Sequence, residues 1–340
     1  MDEIRKKAKE IMNGTCRMCR ICDGRACAGE VPGMGGTGTG ASFRNNVEAL
    51  KEFKLNLRTI HQAVAPKTGV DLLGVKLEMP VLGAPVAGVS FNMGGGRSEE
   101  EYVRAFLGGC REKGVLGCCG DGAQDDLLAG GLKAVTSLGG WGIPVLKPWS
   151  KEELGVKLEA VRESGARLVG MDIDAAGLIT LALMGKPVSP KTPEELRKII
   201  GGTDLKVILK GIMTPDEAKL AMAVGAAGIV VSNHGGRILD HTPGTAEVLP
   251  GIARAVKGRI AILADGGVRS GGDVAKMLAL GADAVMIGRP LAVAAMGGLE
   301  EGVGKYLDTI KTELIQTMIL TGCPDIASVG PRILYNPPFK

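Results

Sequence analysis

Aromatic side chains are scarce in this chain: its 340 residues include two tryptophans, three tyrosines and five phenylalanines. Base stacking on nucleic acid lacks its usual material, and the core must be built from Val, Ile, Leu, Ala and Met. An excess of one charge is also missing. The formal net charge is +4, with lysines and arginines interleaved among acids, so no basic stripe supports a nucleic-acid partner. No apolar run lacks charges for long enough to span a bilayer. The first residues, "MDEIRKKAKEIMNGTC", read as a charged helix without the apolar segment of a secretory signal. A cytoplasmic, soluble protein is expected, without nucleic-acid or membrane partners.

Glycine is plentiful, at 53 residues, in a composition that is 45% hydrophobic. Tight turns and close backbone approaches both draw on glycine. From residue 80 onward, short β-rich runs alternate with amphipathic stretches, which is the pattern of repeated strand–helix units. Eight runs stand out: "PVLGAP" (80–85), "VLGCC" (115–119), "IPVLK" (143–147), "LVGMD" (168–172), "KVILK" (206–210), "GIVVS" (228–232), "IAILA" (260–264) and "AVMIG" (284–288). Between them lie "SEEEYVRAFLGGCREKG", "SKEELGVKLEAVRESG", "TPEELRKII", "TPDEAKLAMAVG" and "GGDVAKMLALG". Several of these open on Ser or Thr and close on Gly, as capped helices do. Eight units predict an α/β fold, a closed (β/α)8 TIM barrel over residues 80–300. A doubly wound open sheet would normally use fewer strands. Residues 1–79 form an N-terminal extension with a cysteine cluster and a helix, and residues 301–340 a C-terminal helix and tail. Both are expected to pack on the barrel.

Barrels of this kind build their active sites from the loops that follow the strands. Strand five ends in Lys210, strand six in Ser232, Asn233 and His234, strand seven in "ADGGVRSGGD" and strand eight in "GRP". Gly266, Gly267 and Gly288 let backbone N–H groups reach an anion, and helices starting at Ser270 and after Arg289 would direct their positive dipole ends toward it. Arg269 and Arg289 would add charged hydrogen bonds. Two such turns at adjacent strand ends predict a phosphate cradle.

Three stretches, "TGVDLLGVKLEMPVLGAPVAG", "VILKGIMTPDEAKLAMAVGAAGIVVSNHGGRILDHTPGTAEVLPGI" and "ILADGGVRSGGDVAKMLALGADAVMIGRP", resemble the FMN-dependent 2-hydroxy acid oxidase and dehydrogenase family, which includes glycolate and lactate oxidases. The likeness is closest over 205–292, looser over 45–90 and poor between 90 and 200. The resemblance implies FMN as cofactor and oxidation of a 2-hydroxy acid, or a related α-substituted acid, by hydride transfer to flavin N5. It makes His234 the base for the hydroxyl proton, Arg237 the ligand of the substrate carboxylate and Lys210 the cation beside the flavin N1–C2=O edge. Ser232 would touch the flavin. Asp265, Gly266, Gly267, Val268 and Arg269, with Gly288 and Arg289, would hold the phosphate, and Pro85, Val86 and Ala87 would line the ring. Related enzymes are often tetramers, which implies a homo-oligomer. Residue chemistry agrees, since histidine titrates near neutral pH and a forked guanidinium grips a carboxylate. His241 has no role by the resemblance and reads as structural.

The departures from the family fall on the substrate side. A family tyrosine ahead of a "GGA" turn is replaced in "PGMGGTG" by Pro32 or Gly33, and Gln-x-Tyr after strand three becomes Lys147-Pro148-Trp149. The usual Thr of strand four is Asp172, the Ser-Ser pair of strand two is Cys118-Cys119, and the lid after strand four shrinks to about Asp174–Pro193. Lys147 and Asp172 are thus candidate substrate-side charges; the alternative is an ordinary ion pair. A substrate other than glycolate or lactate is expected.

The run "CRMCRICDGRAC" places Cys16, Cys19, Cys22 and Cys27 outside the barrel. Four thiolates at such spacing can wrap a tetrahedral metal or a cubane, so an iron–sulfur cluster, a structural zinc and free or redox-active thiols all stand open. A cluster near the flavin would pass electrons singly to an acceptor protein or small carrier, making a dehydrogenase instead of an oxidase. Two competing functions keep the phosphate cradle: a non-redox, isomerase-like barrel, and a flavin electron-transfer or regulatory protein without hydroxy acid turnover.

Overall fold

Each of the eight apolar runs forms a parallel strand in the computed structural model, which describes residues 1–337 except Ile179, Thr180, Ala182, Leu183, Pro187 and the side chain of Asp125. Helices α1 (Asp2–Ile11) and α2 (Ala41–Glu52) come first. Strands β1 (Val81–Gly83), β2 (Cys118–Cys119), β3 (Ile143–Leu146), β4 (Leu168–Asp172), β5 (Lys206–Ile212), β6 (Gly228–Val231), β7 (Ala261–Ala264) and β8 (Ala284–Ile287) follow. The longer helices between and after them are α3 (Glu99–Glu112), α4 (Asp125–Ser137), α5 (Lys151–Glu163), α6 (Pro193–Gly201), α7 (Pro215–Ala223), α8 (Thr245–Val256), α9 (Gly271–Ala279) and α10 (Arg289–Thr321). Strands pair in chain order from β2 to β8, and β8 pairs with β1. The Gly83–Gly117 bridge, with the Gly83 N–H donating to Leu116 O at 2.9 Å, closes the ring. The expected (β/α)8 barrel is the observed one.

Side chains on a strand alternate between its two faces, and here that alternation decides what fills the barrel. Leu82, Cys118, Ile143, Val145, Leu168, Ile208, Val230, Leu263, Ala284 and Met286 belong to one buried interior cluster. The residues between them, such as Leu146, Val169, Leu209, Val231 and Ile262, pack outward under the helices. Continuing the inward phase one step past the last apolar position of β3, β4, β5, β6 and β7 reaches Lys147, Asp172, Lys210, Ser232 and Asp265. All five are buried. The inward-facing column is therefore apolar below and charged at the top, where the strands end.

The bottom is plugged. A hairpin of Val70–Leu72 and Val75–Leu77 contributes Leu72, Val75 and Leu77 to the same interior cluster, and Lys206, at the start of β5, donates to Leu73 O at 2.8 Å. Five helix starts carry the caps that the sequence shows: Ser98, Ser150, Thr192, Thr214 and Ser270 each accept the backbone N–H three residues on. At the N-terminus α1 lies hard against α10, where a Cβ on Gly297 would come within 2.0 Å of Ile4 O. The α10 helix breaks at Leu299, whose φ is +49°. No helix among the described residues is long and apolar enough to cross a membrane.

Candidate active site

The charged layer at the strand ends forms the bed of a cavity of about 600 Å³. Asp172, at the end of β4, accepts from Lys147 Nζ at 2.7 Å and from Lys210 Nζ at 2.9 Å. Burial alone would raise the Asp172 carboxyl, but Lys147 and Lys210 outweigh it and hold it well below the usual carboxylate range. Burial likewise works against the Lys210 ammonium, yet Asp172, followed by Asp174 and Asp265, keeps it above its ordinary value. Lys147 and Asp172 thus do form an ion pair, and they form it inside the mouth. With Lys210 the trio carries one net positive charge.

Above this trio sits His234, half-buried, in the left-handed region with φ +57°. Its backbone N–H donates to Ser232 Oγ at 3.0 Å, and the Ser232 hydroxyl donates to Asp265 Oδ2 at 2.9 Å. Ser232 is fully buried with its hydroxyl engaged, and it stands behind the cavity wall instead of on it. His234 Nδ1 lies 3.2 Å from both oxygens of Asp174 and 3.9 Å from Asp172 Oδ1. Asp174 as the orienting partner was not singled out in the sequence; the signal was an acid two residues beyond the inward-facing Asp172. Arg237 donates to Gly33 O and, at 2.9 Å, to Asn92 Oδ1. Burial brings its guanidinium down to about 10. Gly33, from the rewritten "PGMGGTG" loop, therefore meets Arg237 through its carbonyl.

The segment carrying His234 is tied to the N-terminal extension by Asp240, which accepts from Thr39 N, Thr39 Oγ1 at 2.8 Å and Ser42 N at 3.3 Å. Burial would raise this carboxyl, but the hydrogen bonds from Thr39 outweigh it and hold it low. Asp240→Ala removes these bonds to a charged acceptor and is expected to cost about 2 kcal/mol, read as a lower urea midpoint at unchanged slope. His241 is exposed, 3.7 Å from Asp240, and stands outside the mouth.

Beside the histidine, the β7 and β8 ends bring together the glycines and arginines for which the sequence predicts an anion cradle. Gly266 and Gly267 have φ of +93° and +80°, and a Cβ on either would run into Asn46. Only glycine fits this turn without strain. Arg269 has a buried Nε with no hydrogen-bond partner, and Asp265 has a buried Oδ1 in the same condition. Burial raises the Asp265 carboxyl, against Lys210 and the Ser232 hydrogen bond. Arg289 donates to Met34 O and Gly35 O, both at 2.7 Å, and lies 3.9 Å above the Phe43 ring. Burial, then the neighbouring Arg237, bring it down to about 9. Gly288, Pro85, Val86, Ala87 and Val268 complete this part of the wall. Unpaired buried donors call for an acceptor. The phosphate and polyhydroxy chain of a flavin mononucleotide offer the acceptor that Arg269 lacks and the donors that Asp265 lacks, so the residues present fit that group.

Residues in the weakly matching middle of the chain support the mouth from outside. Asp121 accepts from Lys147 N at 3.0 Å, Lys157 Nζ at 2.9 Å and Trp149 Nε1. Trp149 is buried behind the loop, with Lys157 Nζ 5.1 Å from its ring, and does not line the cavity. Cys118 faces the barrel interior and Cys119 the helix layer. Of the short lid, residues 179, 180, 182, 183 and 187 lie outside the described residues. Leu178, Leu181 and Met184 line the cavity from it. Cys16, Cys19, Cys22 and Cys27 are half-buried and unpaired, and they line a second cavity of about 390 Å³. Burial pushes the thiols of Cys16 and Cys27 up. Arg269 and Arg289 line both cavities.

Fold and site together define a class: (β/α)8 barrels that bring glycine turns and arginines together at strands seven and eight and set a histidine–carboxylate couple beside them. Within that class, the chain belongs to the FMN-dependent dehydrogenase family, whose model matches residues 33–125 and 149–336. A 2-hydroxyacid oxidase of Dictyostelium discoideum is 46% identical over 145 residues, which are 43% of this chain and 37% of that protein. An L-lactate dehydrogenase of Caulobacter vibrioides is 52% identical over 128 residues, 38% of this chain and 33% of that protein. These matches thus span about a third of the relatives' own length. The crystal structure of mandelate oxidase superposes with a TM-score of 0.79 at 27% identity, covering 98% of this chain and 97% of the other.

Proposed function

We propose that the chain oxidises a 2-hydroxy acid with bound FMN. One observation carries this reading: a single mouth joins the His234–Asp174 couple to Arg237, Arg269 and Arg289, and none of these arginines has a carboxylate partner among the described residues. Three guanidiniums without counter-ions are matched by one phosphate and one carboxylate.

The flavin, when bound, supplies the hydride acceptor. The chain supplies the rest. Arg237, anchored on Gly33 O and Asn92 Oδ1, presents its fork to the substrate carboxylate and fixes which carbon faces inward. His234 shares its Nδ1 proton with Asp174, which leaves Nε2 free to take the hydroxyl proton, and the carboxylate then steadies the imidazolium. Lys210, Lys147 and Asp172 keep one positive charge in the layer beneath, where it favours negative charge on whatever lies above. Arg269, Arg289 and the Gly266–Gly267 turn, beside the N-termini of α9 and α10, would hold the phosphate.

The deciding experiment is the anaerobic visible spectrum of the FMN-loaded protein during titration with small, branched and aromatic 2-hydroxy acids. Bleaching of the flavin bands by at least one acid is expected. Failure to retain FMN, or bands that no acid bleaches, would sink the proposal. Arg237→Met is expected to raise the KM of the best acid about 100-fold, the loss of a bidentate charged contact of about 2.7 kcal/mol, with FMN content as in the parent.

A dehydrogenase is the finer reading, since the cysteine cavity shares Arg269 and Arg289 with the mouth. A cytoplasmic setting suits eight cysteines that are all free. A homo-oligomer would cover Leu57, Ile60 and Val64, three exposed apolar side chains within eight residues.

A further inference from the structure

We propose that the cavity walled by Cys16, Cys19, Cys22 and Cys27 is a binding site for a four-iron, four-sulfide cluster. The four ligands stand outside the flavin mouth, and the inference does not require the hydroxy acid reaction.

The chain from Asn13 to Ala28 contains no helix and no strand beyond an isolated bridge at Ala28, and runs as successive turns and bends. Short turns between cysteines two residues apart swing successive sulfurs to one side. All four thiols line the same cavity, and none is spent in a disulfide. Their separation distinguishes the candidate metals. Four sulfurs around one zinc at about 2.3 Å must stand about 3.8 Å apart. Among the described residues, the one group of three or more His, Cys, Asp or Glu ligand atoms lying within 4.8 Å of one another is Asp172, Asp174 and His234, which contains no cysteine. The four cysteines instead line an open volume of about 390 Å³. A cubane takes one thiolate at each iron corner and fills the middle itself, so it calls for this wider arrangement.

Charge points the same way. Four thiolates on a cubane leave a net negative group, and the wall supplies Arg5, Lys51, Arg269 and Arg289. Arg5 donates to Met18 O at 3.0 Å and Cys19 O at 2.8 Å, which holds the loop in place. Arg269 Nη2 lies 3.5 Å from Cys22 Sγ. The wall's acids are committed elsewhere: Asp273 accepts from Ser270 Oγ at 3.0 Å, and Asp23 pairs with Arg25 at 3.4 Å. On assembly each thiol gives its proton to solvent as its sulfur takes one iron, and two ferrous and two ferric ions with four sulfides make up the core with no net electron transfer.

The test uses the full chain, purified without oxygen and with its thiols reduced, incubated with equal amounts of ferrous and ferric iron and with sulfide, then desalted. Iron, acid-labile sulfide, zinc and FMN are measured on the same sample. About four irons and four sulfides per chain are expected, with a broad absorbance beneath the flavin bands and a paramagnetic signal after dithionite reduction. Cys16→Ser and Cys19→Ser are each expected to lose at least three-quarters of the iron and sulfide while keeping the parent's FMN content and circular dichroism. Uptake measured on the unaltered chain keeps the test valid if either variant misfolds. A parent that takes up no iron and sulfide, or zinc bound one per chain in place of iron, would overturn the proposal. So would variants that keep the full complement. FMN content is read separately, so failure here and failure of the flavin reading are told apart.

Discussion

His234→Asn should retain FMN and slow its reduction by substrate about 1,000-fold, within the usual worth of a positioned general base. Asparagine is the informative replacement because residue 234 has φ +57°, a region asparagine tolerates better than most side chains. The N–H to Ser232 Oγ, at 3.0 Å in the parent, also survives the change. The loss therefore reports the missing base and not a rearranged loop. Stopped-flow bleaching of the FMN-loaded variant measures it, and a variant reduced as fast as the parent would remove His234 from the reaction. Asp174→Asn should show a smaller loss, about 10- to 100-fold. It keeps Nε2 in place but no longer steadies the charge that forms on the ring.

Asp172→Asn should cost about 3–5 kcal/mol, the usual penalty for breaking a buried ion pair from one side. Two ammonium groups, 2.7 and 2.9 Å from the carboxylate in the parent, would then face each other across a neutral amide. Lys147→Met should cost much less, because Asp172 and Lys210 remain a one-to-one pair. The pH dependence follows from the directions of the two shifts. Asp172 is held low, so its contribution is present above its unfolded value of about 3.9 and fades as the pH falls. Lys210 is held high, so its contribution is present below its unfolded value of about 10.4 and is lost only as the pH rises through the folded one. The gap in urea midpoint between parent and Asp172→Asn should thus be level from about pH 5 to 9 and narrow below about pH 4. A gap that widens in acid would contradict the geometry.

Much of the barrel could be read from the chain because its strands obey two simple patterns at once. Runs such as "KVILK" and "IAILA" are apolar on both faces, which marks strands covered by helices, and the inward phase carries straight on into Lys210 and Asp265. His234 and Arg237 were readable for the same local reason, since they follow directly from the end of β6. Asn92 and Asp121 were not. Asn92 reaches Arg237 across 145 residues and Asp121 reaches Lys157 across 36, pairings that only the closed barrel creates. Phe43 beneath Arg289 belongs with them: it sits on α2, outside the barrel count, and no local pattern points it at β8. For Lys147 and Asp172, the sequence left open a substrate-side role or a plain ion pair. The structure makes them a pair that is also part of the mouth, because β3 and β4 are neighbours and end at the same height.

The hairpin that plugs the barrel floor sets the traffic of the whole molecule. With Leu72, Val75 and Leu77 filling the lower end, nothing can pass through, and every exchange with solvent uses the upper rim. Under the proposed function, cofactor, substrate and product would therefore take turns at a common doorway, with the longest-lived occupant loaded first and each spent acid gone before the next could enter.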